Sequence, residues 1–175
     1  SALARSNYNI APQLIYLPEV AFDSDDFIQK VKKILFQYHH VIVAVSEGIK
    51  DENGNYISAQ GNKVDKFGHV MLSGTGSVLK DMVAERIGCK VRSIELNVLQ
   101  RAAAHCSSAT DIEESFALGQ NGVKLALAGE TGVMSTLTRV QNMPYEVTYS
   151  FAKIDEIANA EKKIPREWIT ADGTD

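Results

Sequence analysis

A chain of 175 residues, 45% hydrophobic and 23% charged, has the length for one buried core, and its composition excludes a disordered tail. A net charge of -4, with no run of Lys or Arg longer than two, excludes a broad nucleic-acid surface, so specific anion binding requires a local pocket. No apolar stretch approaches the roughly 20 residues of a membrane-crossing helix and no charged-then-apolar leader opens the chain, which makes a cytoplasmic location the expectation. Cys89 and Cys106, 17 positions apart, form neither a disulfide framework nor a zinc pattern and read as reduced structural thiols. The opening Ser1-Ala2-Leu3, without methionine, suggests a processed product or a piece of something longer.

In chain order, Gln13 to Leu17 reads as a short buried strand closed by Pro18-Glu19. Asp23-Ser24-Asp25-Asp26 supplies a helix cap with an acidic first turn, and the helix runs to about Gln37. Its Phe27, Val31, Ile34 and Leu35 share one face, with Lys30, Lys32 and Lys33 toward the C-terminal end. Val41 to Val45 is a continuous apolar run, the pattern of a strand covered on both faces, and it stops at Ser46-Glu47-Gly48. Strand, helix, strand at this spacing implies a parallel βαβ unit.

From Ile49 to Gly68 the chain turns polar, with tight turns at Asn53-Gly54 and Gln60-Gly61-Asn62, so 49–68 is a long loop or a hairpin. Leu72 to Gly88 contains a second helix with Val78, Leu79, Met82, Val83 and Ile87 as its apolar stripe. Val91 to Arg101 is strand-like and bracketed by arginines. Thr110-Asp111-Ile112-Glu113 has capping-box spacing and opens a third helix to about Ala128. Strands follow at Val133 to Val140 and Tyr145 to Phe151, then a short helix from Ile154 to Lys163. The order implies a three-layer α/β sandwich with a largely parallel sheet.

Ligands of open α/β sheets sit beyond the carboxyl ends of the strands, where Glu47 stands. Its carboxylate could accept hydrogen bonds from sugar hydroxyls, cap a neighbouring helix or pair with an arginine. Arg92 and Arg101 carry the planar fork suited to phosphate, against the alternative of ordinary surface arginines at strand ends. Nine positions separate them, an odd number that puts them on opposite faces of a regular strand, roughly 30 Å apart at 3.3 Å per residue. Either the strand ends early near Asn97 or Arg92 serves a neighbouring subunit. Ser73-Gly74-Thr75-Gly76 is a possible anion cradle or a simple helix entry. His39, His40, His69 and His105 show no metal-site spacing and read as structural or surface residues.

Taken together, Tyr16 to Phe22, Val41 to Gly48, Asp65-Lys66-Phe67-Gly68-His69 with Leu72-Ser73-Gly74, and Arg92 through Gln100-Arg101 resemble the carboxyl-terminal part of the phosphofructokinases over most of the chain. Phe67-Gly68-His69 is more like the pyrophosphate-dependent branch. The resemblance implies a phosphofructokinase-like C-terminal lobe that binds fructose 6-phosphate in glycolysis. It implies that Glu47 contacts the sugar hydroxyls, that Arg101 helps bind the 6-phosphate, and that Arg92 reaches the 6-phosphate of an adjacent subunit's substrate, hence a homo-oligomer. Val98 stands where relatives place a histidine or tyrosine.

The family's phosphate-donor loop for pyrophosphate or ATP, its catalytic aspartate and its Met-Gly-Arg motif would lie upstream of Ser1. The resemblance therefore implies a 175-residue chain that is inert by itself, and a Mg2+ cofactor whose ligands lie elsewhere. On this view residues 1–101 form the substrate-binding lobe, 102–143 belong with the absent first lobe, and 144–175 supply a C-terminal strand and helix. An ATP-dependent relative and a noncatalytic sugar-phosphate-binding module are the alternatives.

Overall fold

The computed structural model describes residues 2–58, 66, 68 and 74–171. Strand β1 (Leu14–Tyr16), helix α1 (Ser24–Tyr38) and strand β2 (Val43–Val45) make the expected parallel βαβ unit, with Leu14 opposite Val43 and Tyr16 opposite Val45. Both strands are shorter than the apolar runs that announce them. All of β1 is buried, whereas β2 is half-buried and Ile42 before it is 54% exposed, so the second run is not covered on both faces as expected.

Helix α1 starts as its sequence dictates. The Asp23 carboxylate accepts the amides of Asp25 at 2.7 Å and Asp26 at 3.0 Å, satisfying two donors that a helix start leaves unpaired. The two backbone bonds, that from Asp26 foremost, hold the Asp23 carboxyl below its ordinary value of 3.8. Its stabilising contribution is therefore complete above that ordinary value and is lost as pH falls through the lower value of the folded chain. Asn caps as well as Asp but does not titrate. Thermal unfolding followed from about pH 5 to pH 2 should accordingly show a shallower acid loss in Asp23→Asn than in wild type. An unchanged acid limb would show that the cap contributes nothing to it. Lys32 and Lys33 lie in the C-terminal half of α1 but short of its last turn, and Lys30 pairs back to Asp26 at 2.7 Å.

The buried face of α1 supplies Phe27, Ile28 and Val31 to a core completed by Leu14, Tyr16, Phe22, Ile49, Leu79 and Val83. Phe27 and Tyr16 meet edge to face with ring centres 5.6 Å apart, and Phe22 lies 5.2 Å from Tyr16. Leu79 and Val83 come from helix α2 (Thr75–Ile87), which ends at Gly88 in the left-handed conformation, φ +78°. Between β2 and α2, Lys50 and Tyr56 bridge antiparallel around a turn in which the Asp51 carboxylate accepts the amides of Asn53 and Asn55. The expected Gln60-Gly61-Asn62 turn lies outside the described residues.

The expected strand from Val91 to Arg101 does not form. Residues 88–96 carry no regular structure and Asn97–Arg101 is a short helix, α3, entered through Asn97 at φ +27°. A strand is held by pairing, and among the described residues nothing pairs with this one. Ile94 and Leu96 are 76% and 61% exposed. With no strand over Val91 to Arg101, the opposite-face argument from the arginine spacing no longer applies to this segment.

The chain divides after Glu95: the first unit resumes at Lys163, and the second is Leu96–Lys162. In the second unit helix α4 (Ala109–Leu127) lies on the antiparallel hairpin of β3 (Val133–Asn142) and β4 (Tyr145–Lys153). Asn121 donates to Ser135 Oγ at 2.9 Å and to the Ser150 carbonyl at 2.8 Å, and Ser135 donates to the Leu118 carbonyl at 3.0 Å. The cap of α4 is Ser108, which accepts from Asp111, rather than the capping box at Thr110; the helix starts one residue before that threonine. Its end is a Schellman motif, with Gly129 and Glu130 amides bonding the Ala126 and Leu125 carbonyls at 3.1 and 3.0 Å.

The expected helix from Ile154 to Lys163 stops at Ile157, in α5 (Ile154–Ile157), because Ala158 turns extended and Asn159 adopts φ +62°. After the return, Ile169 is buried in the first unit. Arg166 donates to the carbonyls of Ile169 and Thr170, and the Ile164 amide to the Glu19 carboxylate.

Candidate functional site

Glu47 stands two residues beyond the carboxyl end of β2, half-buried, in the first unit. Its placement follows from the turn that opens α2. The N-cap of that helix is Gly74 at φ +82°, which has no side chain to cap with, so the first helical amide needs a partner from elsewhere. Glu47 provides it: the Thr75 amide donates to Glu47 Oε2 at 3.3 Å, and the Thr75 hydroxyl donates to the Glu47 carbonyl at 3.1 Å. A carboxylate at the positive end of a helix is electrostatically favoured. Two of the alternatives for Glu47 were capping a helix and accepting from a ligand, and the first of them is realised through Oε2. Oε1 accepts no hydrogen bond from any described residue.

The same bond settles what the Gly74-Thr75-Gly76 turn holds. The anion at this helix entrance is the chain's own Glu47 carboxylate; Ser73 lies outside the described residues. Gly76 brings another segment close. A Cβ there would stand 2.6 Å from Ser93 Oγ, so the stretch carrying Arg92 lies against the first turn of α2. Thus one helix turn touches Glu47 through Thr75 and the neighbour of Arg92 through Gly76. The sequence marks both residues within a possible anion cradle or helix entry, but not their contacts with Glu47 and Ser93, which lie far along the chain.

Arg92 itself is exposed and borders a cavity of about 750 Å3 in the first unit. Val41, Val43, Leu79 and Val83 form its apolar floor, while Lys90 and Arg92 bring positive charge. Arg101 is the last residue of α3, exposed, in the second unit. Val98 is on the same short helix and 67% exposed. Of the segment from Asp65 to His69 only Lys66 and Gly68 are described, so the readings attached to Phe67 and His69 lie outside the described residues. Cys89 is half-buried and Cys106 exposed, both free.

With this geometry in place, the chain can be set beside known proteins. A profile of the family named "PFK: Phosphofructokinase" matches residues 2–126. The chain is 39% identical over 160 residues to the pyrophosphate--fructose 6-phosphate 1-phosphotransferase of Methylococcus capsulatus, a match covering 91% of this chain and 38% of that protein. It is 37% identical over 173 residues to the enzyme of the same name from Xanthomonas campestris, covering 99% of this chain and 41% of the relative. Among solved structures, the pyrophosphate-dependent phosphofructokinase of Marinobacter aquaeolei superposes with a TM-score of 0.70 at 32% identity, over 97% of this chain and 38% of that one. The chain thus spans about two fifths of the length of these relatives.

Proposed function

Because the chain belongs to the phosphofructokinase family, we propose that it is the fructose 6-phosphate-binding, C-terminal portion of an enzyme that phosphorylates this sugar at the expense of pyrophosphate. The observation that carries the reading is the placement of Glu47 beyond the end of β2, with one carboxylate oxygen tied to α2 and the other accepting from no described residue, in a chain whose relatives are named for fructose 6-phosphate. Carboxylates accept from vicinal hydroxyls, and guanidiniums take phosphate oxygens two at a time. In this reading Glu47 Oε1 receives the sugar hydroxyls and Arg101 binds the 6-phosphate. Arg92 extends to the phosphate bound by an adjacent copy, so the working unit is a homo-oligomer.

Phosphoryl transfer rests on aligning donor and acceptor and neutralising the charge that develops. The contribution of these residues is on the acceptor side: they orient the sugar and hold its distal phosphate. Magnesium would supply charge neutralisation at the transferred group. Among the described residues no three His, Cys, Asp or Glu side chains assemble to hold it. No described helix is long and apolar enough to cross a membrane, and a cytoplasmic enzyme is the location this reading implies.

A thermal-shift titration with fructose 6-phosphate tests the proposal. Wild type should be stabilised by the sugar phosphate, and Arg101→Ala should need about 10 to 100 times more of it, the loss expected for charge-assisted hydrogen bonds. If neither protein responds, the acceptor-site reading of this chain fails.

A further inference from the structure

Thr75 is completely buried, at 0% exposure, yet it is polar, and both its hydrogen-bond donors are spent on one residue. Its hydroxyl donates to the Glu47 main-chain carbonyl and its amide to the Glu47 carboxylate. These two bonds grip Glu47 at its backbone and at the tip of its side chain, fixing the intervening rotatable bonds before any ligand arrives. Oε2 is thereby engaged, leaving Oε1 as the acceptor without a partner among the described residues. We propose that Thr75 is the positioning residue for Glu47, holding the carboxylate in the one orientation that presents Oε1 to a sugar hydroxyl.

This inference rests on the reading of Glu47 as a sugar contact and adds the device that orients it. Threonine suits the task for two reasons. Its hydroxyl supplies the bond to the Glu47 carbonyl, and its methyl fills the buried space beside it, so valine removes the bond at nearly constant shape while serine keeps the bond and loses the methyl.

Calorimetric titration of wild type, Thr75→Val and Thr75→Ser with fructose 6-phosphate and, separately, with inorganic phosphate provides the test. Side-chain NMR relaxation at Glu47 is recorded on each variant. Thr75→Val should weaken fructose 6-phosphate about tenfold, the scale of one lost hydrogen bond, and leave inorganic phosphate unchanged, because phosphate does not use Glu47. Thr75→Ser should stay near wild type, and Glu47 should become mobile only in the valine variant. Wild-type affinity in Thr75→Val overturns the proposal, as does equal weakening by valine and serine, which marks a packing role. If wild type binds neither ligand, the acceptor-site reading fails on its own account. The proposal is then decided by Glu47 relaxation: increased mobility in Thr75→Val upholds the positioning role, and unchanged mobility overturns it.

Discussion

Replacing Phe27 with alanine is expected to destabilise the first unit by about 3–5 kcal/mol, enough to remove much of the stability of a small domain. The magnitude follows from three features of the site. Phe27 is 1% exposed, so nearly all of its apolar surface leaves water on folding. It packs against Tyr16 and Phe22, with ring centres 5.6 and 5.4 Å away, so truncation also removes two aromatic contacts. Its neighbours are anchored on different elements, β1 and the turn before α1, and cannot close on the void together. Denaturant unfolding monitored by far-UV circular dichroism reads the change directly. A loss below about 1 kcal/mol would mean that the core collapses around the gap and that the aromatic cluster is not its centre.

That cluster belongs to the part of the fold that was legible in the sequence. Asp23 announces α1, the spacing of Phe27 and Val31 announces its buried face, and the Val41 to Val45 run announces β2, because each signal depends on neighbours close in sequence. The Val91 to Arg101 strand was misread for the complementary reason. Its residues favour an extended backbone, but a strand exists only when a partner offers hydrogen bonds, and partnership is a property of the tertiary arrangement. The capping of α4 shows the same limit at smaller scale: Ser108 and Thr110 are both competent caps, and only the path of the chain decides between them.

The site divides in the same way. Position after a strand was sufficient to single out Glu47, but its partner Thr75 lies 28 residues further on, beyond a polar excursion that hides the connection. Residue type made Arg92 and Arg101 candidates for phosphate against ordinary surface arginines, and only the family resemblance implied their 6-phosphate roles. Odd spacing puts them on opposite faces only of a straight strand, whereas Asn97–Arg101 is a helical turn and the two arginines belong to different units.

Glu47 should respond to substitution in two separable ways. In Glu47→Ala the buried Thr75 amide at the start of α2 loses its acceptor, and leaving such a donor unpaired costs about 1–3 kcal/mol of stability. In Glu47→Gln a carbonyl oxygen remains to accept that amide, so stability should fall by less, about 0.5–1 kcal/mol, as a charge-assisted bond at a helix start becomes a neutral one. Ligand response should rank differently. On the proposed role of Glu47 both variants lose the negative oxygen meant for the sugar, so both should weaken fructose 6-phosphate by about tenfold or more, whatever their difference in stability. Measuring the melting temperature without ligand and the fructose 6-phosphate-induced shift on the same three proteins separates the two roles. Stability losses in the expected order with an undiminished ligand response would make Glu47 a helix cap alone. Equal stability in all three would remove the anchor on which its orientation toward a ligand depends.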